Sequence, residues 1–134
     1  HTMIRKPLFK RTFALLFIIG FLDFLANTFY LYWTVWWFDM IMHFISGACV
    51  GMAAVLIWQF YFENKFNIWA AIKIAIISAF VIGILWEFYE LYFEITSFSD
   101  GVLYWTDTSS DLLLDVSGGI LGALYGHKVL LKSK

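Results

Sequence analysis

The hydrophobic and polar positions divide the chain into four long apolar runs, at about residues 13–32, 39–62, 68–95 and 107–131, joined by short polar connections. A helix rising 1.5 Å per residue needs about 20 apolar residues to cross a hydrocarbon core about 30 Å thick, and each run meets that length. The pattern predicts an all-α fold, a four-transmembrane-helix bundle forming a single integral membrane domain over residues 1–134. Polar residues inside the runs recur at helical spacing. Glu87, Glu90 and Glu94 stand at i, i+3 and i+7; Asp107, Asp111 and Asp115 at i, i+4 and i+8; Asp39 and His43 at i, i+4. Each set occupies one helix face. By the helical rise, His43 lies about 6 Å below Asp39, with Asp111 about 6 Å and Asp115 about 12 Å below Asp107.

Composition agrees with this pattern. At 62% hydrophobic, 22% aromatic and 14% charged residues, the chain lies outside the range of soluble globular domains. A single proline leaves little room for linkers, and a net charge of −1 gives no ground for a nucleic-acid partner. Cys49, alone in an apolar run, reads as a packing residue rather than a nucleophile. His1 and Thr2 before Met3 read as a tag remnant. The first run follows basic residues as a signal peptide would, but Asp23 interrupts it and no small-residue cleavage site follows, so a mature helix is expected.

Charge sets the expected orientation. Arg5, Lys6, Lys10 and Arg11 precede the first run, Lys65 lies between the second and third, and Lys128, Lys132 and Lys134 close the fourth. Lys73 lies about one turn inside the third run at the same end, where its stem can snorkel to the interface. The positive-inside rule makes that end cytoplasmic, with both termini inside and the protein multi-pass in the cell's inner membrane. The outer connections carry no Lys or Arg; Trp33, Trp36, Trp37, Tyr104 and Trp105 form an aromatic belt there.

The acids sort oppositely, since only Glu63, beside Lys65, falls in the cytoplasmic turn. A carboxylate facing lipid costs about 2.5 to 3.5 kcal/mol at mid-helix, so the stripes should face one another, where they repel. Shared protons or a shared cation would resolve that conflict, and a histidine among the acids adds a common metal donor. Asp39, His43, Glu87, Glu90, Asp107 and Asp111 are therefore the expected ligands of a divalent metal, Mg, Mn, Fe or Zn, with Glu90 or Asp115 as a catalytic base. Helix capping explains Asp107 as well as ligation does. Asp23 fits either an outer role beside His43 or a bond to a neighbouring helix. Glu94 and Asp100 read as solvated interfacial groups.

Gly47 and Gly51, and Gly118, Gly122 and Gly126, follow small-x3-small spacing, which predicts close approach of the second and fourth runs. Asp39-x3-His43-x3-Gly47 echoes Asp111-x3-Asp115-x3-Gly119, suggesting two helical hairpins related in parallel. Three motifs carry a family resemblance over about two-thirds of the chain: Phe38-Asp39-Met40-Ile41-Met42-His43-Phe44 with Gly47, Trp86-Glu87-Phe88-Tyr89-Glu90, and Asp107-Thr108-Ser109-Ser110-Asp111. In this order they resemble the YjdF-like bacterial inner-membrane proteins and, more distantly, VanZ-like proteins. The resemblance implies a helical membrane protein whose polar pattern falls on Asp39, His43, Glu87, Glu90, Asp107 and Asp111, and it names no chemistry.

Three functions compete at this stage. One is a metal-dependent hydrolase or transferase acting on a lipid or lipid-linked substrate from outside, in which a phosphate would need the metal as its anchor, because no basic residue lies on that side. The second is cation or proton transport or sensing, with Lys73, Gln59 and Ser78 lining an inner path or a homo-oligomer supplying one. The third is a structural membrane subunit.

Overall fold

The computed structural model describes residues 2–61, 67–93, 99 and 101–132, with side chains from residue 7 onward. Glu63, Lys65, Glu94, Asp100 and Lys134 fall outside the described residues, as do the side chains of Arg5 and Lys6. Five α-helices follow in order: α1 Thr2–Thr28, α2 Leu31–Thr34, α3 Phe38–Tyr61, α4 Ile68–Tyr92 and α5 Val102–Lys132. Among the described residues there is no strand.

The helix ends depart from the sequence reading where polar residues prove helical. α1 starts at Thr2 rather than near residue 13, because a search for apolar length passes over Lys and Arg, which are good helix formers. It stops at Thr28: Tyr30 takes a left-handed conformation (φ 58°), and α2 is a separate single turn. The start of α5 moves from Asp107 back to Val102, just after Gly101 at φ 66°. Asp107 is thus an interior, exposed helical residue, which removes its capping role. α4 opens with Asn67 as N-cap, whose side-chain oxygen accepts from the Ala70 amide at 2.9 Å. Asn67→Ala is expected to cost about 1 kcal/mol. A detergent-solubilised melt would show the drop, and an unchanged melting temperature would assign the cap no net value.

The most extensive interface joins α3 to α5; α4 packs chiefly on α5 and then α3, and α1 lies mainly against α3. α3 and α5 run parallel, since Gly47 lies at Asp115, Gly51 at Gly119 and Val55 at Gly126. A Cβ on Gly47, Gly51, Gly118 or Gly122 would overlap the carbonyl oxygen of Asp115, Gly119, Phe44 or Ala48 respectively, so the two backbones touch directly. Dispersion and weak Cα–H···O contacts hold such a pair where lipid removes the hydrophobic drive between helices. α4 meets α5 through another small-residue stripe, buried Ala71, Ala75, Ala79 and Gly83 at successive i+4 steps, leading to buried Glu87. Cys49 is buried, its thiol directed at the Thr12 carbonyl.

Large apolar side chains point outward instead. Phe17 is 74% exposed, Ile77 64% and Leu113 69%. Small and polar residues inside, with large apolar ones outside, suit hydrocarbon as the surrounding solvent better than water. Among the described residues, α3 and α4 are long and apolar enough to cross a membrane.

Candidate metal centre

The acid stripes on α3 and α5 meet around one imidazole. His43 sits on the second turn of α3, buried where that helix crosses α5. Its Nδ1 lies 3.0 Å from Asp115 Oδ1, while Nε2 lies 3.4 Å from Asp111 Oδ2 and 3.6 Å from Asp39 Oδ2. Asp111 and Asp115 are buried, whereas the Asp39 side chain is 42% exposed at the end where α3 begins. The parallel crossing brings them together. Residues 43 and 115 share the 72-residue offset of the sequence echo and are in direct contact.

The two ring nitrogens meet different geometry. The Nδ1 distance is that of an ordinary hydrogen bond; both Nε2 distances are long for one. The contact with Asp115 is therefore made through Nδ1, and Nε2 is the ring atom that faces Asp39 and Asp111. Ligating atoms of Asp39, His43 and Asp111 all lie within 4.8 Å of one another. Ligands about 2.1 Å from a common ion stand about 3.0 Å apart at octahedral angles and about 3.4 Å apart at tetrahedral ones. The Nε2 spacings are near the second figure.

The other expected site residues take different places. Glu87 is buried and accepts a hydrogen bond from the Thr108 hydroxyl (3.1 Å), tying α4 to α5 beside the centre. Glu90, half-buried, accepts from Trp86 Nε1 at 2.9 Å. Asp107 lies exposed one turn before Asp111. None of these three belongs to the group whose ligating atoms converge, although all share its end of the bundle. Asp23 is exposed on α1 and accepts from Tyr32 (2.6 Å) and Asn27 (3.3 Å), so its partners are local and His43 is not among them. Lys73 and Ser78 lie on α4, and Gln59 is buried near the far end of α3.

The sequence reading placed Thr108 within the Asp107–Asp111 motif but gave it no role, and it passed over Gly83. The i+4 run Ala71-Ala75-Ala79-Gly83 pointing at Glu87 was visible as a pattern, and it marks the α4 face turned to the centre.

Comparison with known families gives a match over nearly the whole chain. A family model described as "Predicted membrane protein (DUF2238)" covers residues 2–132. Neither curated proteins nor solved structures yield a match. The match agrees with the YjdF-like resemblance and says nothing of the VanZ-like one. With its inverted distribution of large apolar side chains and a family match over nearly its whole length, the chain belongs to the DUF2238 family of predicted membrane proteins.

Proposed function

We propose that this is a single-domain inner-membrane protein of four spans, α1, α3, α4 and α5, that holds a divalent cation at Asp39, His43 and Asp111. The observation that carries the reading is the asymmetry about His43: a hydrogen-bond distance on Nδ1, and two longer distances to carboxylates on Nε2. Histidine ligands commonly donate their second N–H to a carboxylate, which sets the tautomer and raises ligand basicity; Asp115 takes that part. This gives Asp115 an orienting role in place of general base. Two carboxylate oxygens and one imidazole suit Mg, Mn, Fe or Zn and leave coordination positions for water or substrate.

Topology supports access from outside. Lys10, Arg11, Lys73, Lys128 and Lys132 sit at one end of the bundle, where Arg11 donates to the Tyr125 hydroxyl at 2.9 Å and lies over its ring. Asp39, Glu87, Glu90, Asp107 and Asp111 sit at the other. The positive-inside rule then puts both termini in the cytoplasm and the centre in the outer half of the membrane. At 27 and 31 residues, α1 and α5 are long enough to span beside α3 and α4. Exposed Asp39 and Asp107 mark the mouth, and Glu90 supplies a carboxylate there for proton transfer. The cation would polarise a phosphoryl or ester oxygen, so hydrolysis or transfer on a lipid or lipid-linked substrate is the activity that fits.

The test is elemental analysis of wild type and Asp111→Asn, purified in metal-free detergent and loaded with Mg, Mn, Fe or Zn. Wild type is expected to retain a stoichiometric divalent metal, and the variant to lose affinity by more than the about 10- to 100-fold typical of outer-shell partners. Metal-free wild type after every loading would sink the proposal. The same distances would then describe one imidazolium shared among Asp39, Asp111 and Asp115, balancing a single negative charge.

A further inference from the structure

Gly83 differs from Gly47, Gly51, Gly118 and Gly122 in what surrounds it. At Gly47, Gly51, Gly118 and Gly122 an added Cβ would meet backbone, but at Gly83 it would meet two side-chain ends, Asp115 Oδ2 at 2.8 Å and Leu112 Cδ2 at 2.7 Å. The other oxygen of that carboxylate is the one bonded to His43 Nδ1. We propose that Gly83 is a positioning residue: the space left by its missing side chain receives the Asp115 carboxylate and so sets the tautomer and angle of His43.

The physical argument is steric. A methyl group at 83 has to displace both the Leu112 side-chain end and the Asp115 carboxylate, which is tied to the imidazole. Contact closer than 3 Å to the carboxylate persists even if Leu112 yields. Asp115 then swings away from Nδ1, and the imidazole loses the partner that aims Nε2 at Asp39 and Asp111. Thus α4, which supplies none of the three converging ligands, governs the centre through its approach to α5. The inference rests on the proposed centre for its consequence in metal affinity. Its effect on the imidazole is independent of any metal.

The experiment compares wild type, Gly83→Ala, Leu112→Ala and the double variant, each labelled with ¹⁵N-histidine and studied in detergent, with His43→Asn to assign the His43 signals. Gly83→Ala is expected to shift the His43 Nδ1 resonance and, in Co(II)-loaded protein, to weaken Co(II) binding about tenfold or more, with an altered d–d absorption spectrum. Leu112→Ala should change neither. The double variant, relieved of the leucine contact, serves if the single one fails to fold, and it should still show both changes. Wild-type His43 shifts in the double variant would overturn the proposal. A wild type that binds no Co(II) would count against the metal centre alone, and the ¹⁵N shifts would still decide the role of Gly83.

Discussion

Replacing Gly122 with valine is expected to abolish the folded bundle, so that the purified variant elutes as aggregate in detergent and shows no cooperative melt. A Cβ at this position overlaps the Ala48 carbonyl oxygen and comes within 2.8 Å of its carbonyl carbon and Cα. These are backbone atoms of a packed helix and no rotamer change relieves them. Overpacking a core of side chains costs about 1–3 kcal/mol. Here the two helices have to separate, which strips contact from the most extensive interface and also parts His43 from Asp111 and Asp115. Gly20→Val is the control. No atom stands within 4 Å of a Cβ there, and valine is the better helix former, so its melt should equal or exceed that of wild type. A Gly122→Val protein melting like wild type would refute the direct backbone contact of α3 and α5.

His43→Asn is expected to remove bound metal while leaving the protein folded. The asparagine amide can place an N–H near the position of Nδ1, keeping the hydrogen bond to Asp115, but it has no atom where Nε2 faces Asp39 and Asp111. This substitution therefore separates the two functions of the ring. Alanine at 43 would leave Asp115 and Asp111 buried without a partner, and the cost of an uncompensated buried charge, about 3–5 kcal/mol, would confuse lost binding with lost folding. Glu90→Gln and Asp107→Asn, outside the converging group, should keep the metal. Metal content by elemental analysis and a thermal melt of each variant suffice to check this. Retention of stoichiometric metal by folded His43→Asn would rule out Nε2 as a ligand.

Much of the site was legible because a helix repeats at 3.6 residues per turn. Asp39 with His43, and Asp111 with Asp115, had to share a face, and the cost of carboxylates in lipid had to turn those faces inward. The glycine spacing pointed to the pairing of α3 with α5, which the contacts at Gly47, Gly51, Gly118 and Gly122 bear out. Less legible was the start of each polar helix. The outer connection reads as reaching Thr106, yet the chain is helical from Val102, because it turns at Gly101. Tyr32 was read as the end of the first helix, but the left-handed Tyr30 puts it on a separate turn that bonds back to Asp23.

Periodicity and charge by themselves determined an all-helical chain with its acids, Glu63 apart, gathered at one end and its bases at the other. They named Asp39, Glu87, Glu90, Asp107 and Asp111 as ligands beside His43, with Glu90 or Asp115 as base, because spacing within a helix carries no information about rotation or depth between helices. Only the tertiary structure decided that Asp39 and Asp111 face Nε2, that Asp115 takes Nδ1, and that Glu87 turns to Thr108. The reason is backbone contact: where glycines let α3 and α5 touch, their relative height is held to a fraction of a turn, and a carboxylate one turn higher or lower meets a different atom.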